Sequence, residues 1–144
     1  MSGYSHVLIA VDLSDDSDAV VHRGLEVARR FNARATVLHV VEFIPVDPAG
    51  EALLPPPMDL ENELVQGAKR RLEDLCGSLN IKDLPHRVVT GVIKAELLRT
   101  VMEEHIDLIV LGSHERHGLA LLLGSTEKSI LHRASCDVLA VRLH

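Results

Sequence analysis

Apolar and polar residues follow two patterns along this chain. Short, mainly apolar runs are typical of strands buried on both faces of a parallel sheet. Such runs occur at residues 6–12, 36–41, 106–111 and 138–141, and residues 86–90 are predicted to form a further short strand. Between them, apolar residues recur every three or four positions, which is the spacing of an amphipathic helix. Five strands alternating with four helical stretches predict an α/β fold, a single doubly wound, Rossmann-like domain over residues 1–144 with a mainly parallel five-stranded sheet.

The four helical stretches also predict which side chains are buried. Ser14 is expected to cap the first helix and Asn32 to end it. The second helix is expected to begin at Asp59, the third to span Ile93–Glu104 and the fourth to begin near Ser125. The residues predicted to be buried are, helix by helix, Val21, Leu25, Ala28 and Phe31; Leu60, Leu64, Ala68, Leu72, Leu75 and Leu79; Leu97, Leu98, Val101 and Met102; and Ile130, Leu131 and Ala134.

The segment from Phe43 to Met58 interrupts this alternation. Its prolines remove amide donors, so it is predicted to lack regular structure. Loops longer than about 12 residues in compact domains are usually either functional or disordered. The sequence leaves two interpretations open: a lid or partner-contact loop, or a surface insertion without a role.

The stretch from residue 106 to residue 126 carries the clearest chemical signal. The apolar run Ile106–Leu111 is expected to stop at Gly112, and a loop containing Gly118 follows. Gly124, Ser125 and Thr126 then open the last helix. Backbone N–H groups of such a loop and helix N-terminus can bind a phosphate. The alternative, that these glycines only turn the chain, stays open.

The expected position of this site follows from the fold class. In doubly wound sheets, ligands bind beyond the carboxyl ends of the strands where the strand order reverses. If the first and fourth strands are neighbours, Asp12 and Gly112 flank that crevice. Asp12 could instead cap local amides, and Val40, at the end of the second strand, could be an ordinary core residue.

Composition and charge exclude several classes of function. A net charge of −6 and an aromatic content of 2% disfavour nucleic-acid binding, which needs basic residues and stacking platforms. Cys76 and Cys136 lack CxxC spacing, and no signal peptide is recognised. The apolar runs are far shorter than the roughly 18 residues of a membrane span. A cytoplasmic protein that binds neither membranes nor nucleic acid is expected.

Metal binding and catalysis find little support in the sequence. His114, Glu115 and His117 bring possible ligands together, but nothing else has the regular spacing of a zinc site, so no tightly bound metal is expected. His39, on an apolar strand, is interpreted as a hydrogen-bonded core histidine. No nucleophile elbow is present, so turnover is not expected. Slow nucleotide hydrolysis at Asp12 is the enzymatic alternative.

Five segments together carry a resemblance to a known family. They are Ile9–Ser14, Leu38–Val40, Asp107–His114, Gly124–Ser125 and Cys136–Val141. In their order and spacing the chain resembles the universal stress protein family over nearly its whole length. The resemblance implies the strand order 3-2-1-4-5, a stress-response role, a homodimer formed through the fifth strand and, in one branch, ATP binding. A protein partner is also implied, but not its identity.

The resemblance also implies a nucleotide site for ATP or AMP with Mg²⁺. Its matching positions are Ala10, Val11, Asp12, Val40, Leu111, Gly112, His114, Gly118, Gly124, Ser125 and Thr126. The ATP-binding branch carries the pattern G-x2-G-x9-G-[ST]. Here Glu115 replaces the second glycine and the spacing is one residue shorter, with Gly118 as a candidate replacement. A glutamate beside a triphosphate adds like-charge repulsion, so an interaction module that binds no nucleotide is the main alternative function.

Overall fold

The computed structural model describes residues 3–42, 58–114 and 134–143. Its elements are β1 (His6–Ala10), α1 (Ser17–Arg30), β2 (Arg34–Val41), α2 (Met58–Ser78), β3 (His86–Thr90), α3 (Ile93–Glu104), β4 (Leu108–His114) and β5 (Asp137–Leu143). The predicted α/β class and the five strands are confirmed. Three helices fall within the described residues. The predicted fourth helix, with Ile130 and Leu131, lies outside them, as do residues 43–57 of the predicted Phe43–Met58 loop. Met58, the last residue of that predicted loop, is instead the first residue of α2.

The five strands form one parallel sheet in the order β3-β2-β1-β4-β5, as predicted. Leu8 of β1 lies opposite Thr36 of β2 on one side and Ile109 of β4 on the other. Ile109 in turn lies opposite Val138 of β5. The strand order therefore reverses between β1 and β4, and their carboxyl ends meet at one edge of the sheet.

The sheet is covered on both faces. Because successive strand side chains point to opposite faces, Ile9 packs towards α1 and α2 while Leu8 packs towards α3. On the first face, Val21 of α1 and Leu72 of α2 join a core that also contains the fully buried Cys76. On the second face the core includes Leu97, Val101 and Ile109, with the half-buried Ala134 packed against it.

Four residues predicted to be buried are exposed instead. They are Phe31 (46% exposed), Leu60 (44%), Leu64 (43%) and Met102 (68%). Phe31 lies just beyond the last residue of α1 and contacts Tyr4 edge-on, with 5.0 Å between ring centroids. Among the α2 side chains that the structure describes, from Leu60 onwards, Ala68 is the first that is buried. On α3 the buried residues are Leu97, Thr100 and Val101, which turns Met102 away from the core.

The start of α1 also differs from the prediction. The helix begins at Ser17, and Asp16 rather than Ser14 occupies the N-cap position, without a side-chain capping hydrogen bond. Asp12 instead holds the segment that leads into the helix: its Oδ1 accepts hydrogen bonds from the Ser14 N–H (3.0 Å) and the Ser17 hydroxyl (3.2 Å). At the other end, Asn32 adopts a left-handed conformation (φ 53°), as suits the predicted stop.

β4 does not stop at Gly112 but continues to His114. Gly112 pairs with Val141 of β5, and the ladder runs on to Leu143. A Cβ atom on Gly112 would lie 2.7 Å from Leu143 Cδ1 and 3.1 Å from Val20 Cγ2. Because Gly112 has no side chain, the side chains of Leu143 and Val20 can pack directly against β4 at this position. The predicted end is wrong because Gly112 ends the apolar run in the sequence but not the strand, which stays hydrogen-bonded to the parallel strand β5 as far as His114.

At the opposite, amino-terminal edge of the sheet, Asp107 joins β1 to β4. Its Oδ2 accepts hydrogen bonds from the Ser5 N–H and hydroxyl (2.8 Å each), and its Oδ1 accepts one from the His6 N–H (3.0 Å). Partial burial favours the neutral acid, but these hydrogen bonds outweigh it and hold the pKa of Asp107 below its ordinary value. The carboxylate thus fixes the start of β1 against β4.

Candidate functional site

A crevice lies at the carboxyl edge of the sheet, where the strand order reverses between β1 and β4. The described residues that line it enclose about 80 Å³. Small-molecule sites usually occupy roughly 300–1,000 Å³, so these residues form the floor of a site rather than a complete pocket. The predicted site residues at this floor are Ala10, Val11, Asp12, Val40, Leu111 and Gly112.

The other predicted site residues are only partly described. His114 is the last residue of β4, at the same edge of the sheet, but its side chain lies outside the description. Gly118, Gly124, Ser125 and Thr126 also lie outside the described residues. The phosphate-binding half of the site therefore stays a prediction, while the structure brings the strand-end half together.

Asp12 combines the two roles considered for it. Its carboxylate is exposed at the crevice, and the same group holds the Ser14 amide and the Ser17 hydroxyl. The local hydrogen bonds considered for Asp12 are therefore present. They also hold its negatively charged carboxylate in a fixed orientation at the crevice. Val40 likewise has both roles, because it is 7% exposed, belongs to the core on the α3 face and lines the crevice.

The loop between β1 and α1 (residues 11–16) is held by its neighbours. The Val11 N–H donates to the Leu38 carbonyl (3.0 Å), and the Val11 carbonyl contacts Nδ1 of His39 (2.8 Å). From α2, the Arg71 guanidinium donates to the carbonyl of Leu13. Leu13 is itself buried in a left-handed conformation (φ 61°). β2 and α2 therefore determine the shape of this wall of the crevice.

His39 is the crevice residue whose importance the sequence analysis missed. The prediction of a hydrogen-bonded core histidine is correct, since the residue is half-buried and its ring contacts Val11, but His39 is also one of the residues that line the crevice. Its place one residue before Val40, at the end of β2, was the available signal. Val20, Ile93 and Leu143 line the crevice too. No local pattern points to them, because α1, α3 and β5 bring them together from distant parts of the chain.

The chemical character of this floor is mainly apolar. Asp12 and His39 are the polar side chains among its lining residues, and the others are aliphatic or glycine. Such a surface can pack against a flat or apolar group while a few polar atoms orient it. Burial lowers the pKa of His39 below its ordinary value; the Val11 carbonyl acts in the opposite direction, and the Arg71 guanidinium reinforces the lowering.

Neither metal ligands nor a membrane span are found in the parts of the chain that are described. Over residues 3–42, 58–114 and 134–143, no three His, Cys, Asp or Glu side chains converge to hold an ion. The possible ligands His114, Glu115 and His117 have their side chains outside the described part of the chain. Within the same ranges, no helix combines the length and apolarity needed to cross a bilayer.

Solved universal stress proteins share this fold. Universal stress protein UspA from Lactobacillus plantarum has a TM-score of 0.71 and 27% identity, over 99% of this chain and 100% of that chain. A universal stress protein solved in complex with cAMP has a TM-score of 0.58 and 24% identity, over 97% and 98%. One from Archaeoglobus fulgidus in complex with dAMP has a TM-score of 0.63 and 18% identity, over 97% and 99%. At these identities, the last two likenesses show the fold alone.

Sequence comparison gives the family directly. Universal stress protein A homolog 1 of Coxiella burnetii is 41% identical over 138 residues, which is 96% of this chain and 96% of that protein. The sequence model described as the Universal stress protein family matches residues 3–142. The order and spacing of the motifs, the sheet order and these matches agree, and the chain belongs to the universal stress protein family.

Proposed function

We propose that this protein is a cytoplasmic, homodimeric regulator of the stress response that binds an adenine nucleotide in the crevice and acts by binding rather than by turnover. The observation that carries the proposal is the junction of an apolar floor with the Asp12 carboxylate between β1 and β4. That is the position at which doubly wound folds bind ligands. Two universal stress proteins of the same fold carry cAMP and dAMP, which supports this ligand class.

The described residues suit the base and sugar of a nucleotide. Ala10, Val40 and Leu111 offer aliphatic surface for a purine, and Asp12 offers an acceptor for a ribose hydroxyl. The phosphates would then reach the predicted helix start at Gly124–Thr126, whose N–H groups suit an anion. Mg²⁺ prefers one or two carboxylates together with phosphate oxygens, and the exposed Asp12 carboxylate fits that preference. When bound, the ion would neutralise phosphate charge beside Asp12.

The substitution Asp12→Asn tests this assignment, because the asparagine Oδ1 can still accept from Ser14 and Ser17. With Mg²⁺ present, we expect ATP binding to weaken about tenfold, the equivalent of one charge-assisted contact. With EDTA present we expect a smaller weakening, because removing a negative charge near the phosphates offsets the loss of the acceptor for the ribose hydroxyl. Titration calorimetry of ATP and AMP measures both. Asp18→Asn is the matched control, because Asp18 is exposed on α1, where its carboxylate accepts from the neighbouring Ala19 N–H.

Glu115 favours the second candidate function, an interaction module without a nucleotide. The same titration separates the two. If the parent protein binds no adenine nucleotide at millimolar concentration, the nucleotide proposal fails. If Glu115→Gly then restores ATP binding, the glutamate has closed an inherited site by charge repulsion. If Glu115→Gly also fails to bind, regulation through a protein partner becomes the function to pursue.

The proposed homodimer uses β5, an edge strand of the sheet. Edge strands present unpaired backbone groups that readily accept another strand. On β5, Val138, Leu139 and Val141 are half-buried, so apolar surface accompanies these backbone groups. Pairing of two β5 strands would cover both.

Ala140→Lys is expected to convert the dimer to a monomer. Ala140 is exposed on β5, so the lysine adds charge to the proposed interface without disturbing the core. Lysine on an edge strand is a common natural defence against such pairing. Light scattering gives the mass of the parent and the variant. Ala95→Lys, at an exposed alanine on α3, is the control and is expected to leave the dimer intact. A monomeric parent, or a dimeric Ala140→Lys variant, would move the interface away from β5.

A further inference from the structure

The tautomer of His39 follows from its contact with the β1–α1 loop. Nδ1 lies 2.8 Å from the carbonyl oxygen of Val11. A carbonyl oxygen only accepts hydrogen bonds, so Nδ1 must carry the proton that is donated. If the ring is neutral, its second nitrogen, Nε2, then carries a lone pair and no proton.

The surroundings of His39 favour that neutral ring. The imidazole is half-buried, and burial lowers its pKa because the charged form loses solvation. The Val11 carbonyl and the Asp12 carboxylate act in the opposite direction, whereas the Arg71 guanidinium adds to the lowering. The net pKa lies below the ordinary value near 6.5, so the ring is neutral at pH 7.

The polar side chains of the crevice therefore share one property. Asp12 and His39 are the polar ones among the described lining residues. An ionised carboxylate accepts hydrogen bonds only, and so does Nε2 of this tautomer. These side chains offer acceptors and no donor, and they suit a ligand that brings N–H or O–H groups.

We propose that His39 is a specificity-determining residue whose Nε2 accepts a hydrogen bond from an N–H or O–H group of the bound nucleotide. This inference rests on the proposed function. Two parts of an adenine nucleotide carry such a donor: the exocyclic 6-amino group and the ribose hydroxyls. A purine with a 6-oxo group in place of the amine presents an acceptor instead. A site built to pair a donor rejects a ligand without it, because the buried acceptor stays unpaired.

His39→Asn isolates the role of Nε2. The amide nitrogen of asparagine can occupy the position of Nδ1 and donate to Val11, but the side chain has no counterpart to Nε2. Calorimetric affinities for AMP, IMP, 2′-deoxy-AMP and 3′-deoxy-AMP distinguish the two sources of the donor. Each analogue lacks one of the groups that could donate to Nε2. We expect the parent to bind AMP about tenfold more tightly than the analogue that lacks the actual donor, and the His39→Asn variant to lose this preference. His22→Asn, at an exposed histidine on α1, is expected to keep it.

A second measurement needs neither a ligand nor a variant. Nitrogen-15 spectra of the imidazole rings at pH 7 are expected to show His39 neutral, with Nδ1 protonated and Nε2 unprotonated. A charged ring, or the opposite tautomer, would overturn the inference even if His39→Asn does not fold. If the parent binds none of the four nucleotides, the inference and the proposed function fail together. If the parent binds AMP but discriminates against no analogue, or if His39→Asn discriminates as the parent does, only the inference fails.

Discussion

Gly24→Ala is expected to destabilise the protein by about 1–3 kcal/mol, the usual cost of forcing an extra carbon into a packed core. A Cβ atom on Gly24 would lie 2.6 Å from Ile9 Cγ1 and 2.7 Å from Ile9 Cδ1. Ile9 is fully buried in β1, so any shift of its side chain has to be taken up by the core residues packed around it. The gain in helix propensity from alanine, up to about 1 kcal/mol, is smaller than this clash. α1 can lie close to β1 only because residue 24 has no side chain.

The same substitution at Gly67 is the matched control and is expected to have the opposite sign. Gly67 lies within α2, and apart from its chain neighbours and the nearby backbone of its own helix, no described atom lies within 4 Å of the position that its Cβ would occupy. Gly67→Ala therefore gains helix propensity without a clash, which stabilises by about 0.5–1 kcal/mol. Urea denaturation of the parent and both variants gives the three free energies of unfolding. Equal effects at the two positions would show that backbone propensity, not contact with Ile9, decides the outcome at Gly24.

Asp107→Asn is expected to lower the free energy of unfolding by about 2 kcal/mol at pH 7, because an amide replaces a carboxylate that accepts three hydrogen bonds. The pKa of Asp107 is lowered in the folded protein. Its contribution is therefore fully present above the unfolded pKa, near 3.9, and is lost as the pH falls through the folded pKa. The difference between parent and variant should stay constant from about pH 5 to 8 and shrink below about pH 4.

Denaturant titrations at a series of pH values measure that difference. Asp74→Asn, at an exposed position on α2, serves as the control and is expected to stay within about 0.5 kcal/mol of the parent. A gap for Asp107→Asn that persists unchanged to pH 2 would contradict the role given to the carboxylate charge. It would point to the shape of the side chain instead.

The layout of the fold could be predicted because local patterns encode it. β1 and β4 are buried on both faces, so their sequences are nearly continuous apolar runs. The bounds predicted for β3 and α3 agree with the structure, since α3 combines helical spacing with a turn at Gly91 before it. The place of the crevice followed from the topology, because the strand order determines which strand ends meet.

Contacts between distant residues could not be predicted in this way. Asp107 opens the segment that carries part of the family resemblance, yet it lies at the opposite end of β4 from the crevice, where it bonds to Ser5 and His6. His39 reads as a core residue on its own strand, and only the turn of the chain after β1 brings Val11 to its ring. Spacing along the sequence predicts which face of its own helix or strand a residue lies on. It does not predict which group of another element that residue contacts.

The contact between Arg71 and Leu13 bears on how a ligand would bind. A left-handed conformation costs a residue such as leucine about 1 kcal/mol, and here the buried Leu13 side chain and the Arg71 hydrogen bond compensate for that cost. Folding, rather than the arrival of a ligand, thus pre-organises this wall of the crevice. A molecule that binds against it does not have to immobilise residues 11–14, so less of its interaction energy is offset by lost conformational entropy. The Arg71→Lys variant lacks the planar guanidinium, so folding would order residues 11–14 less completely. A ligand would then have to complete that ordering when it binds.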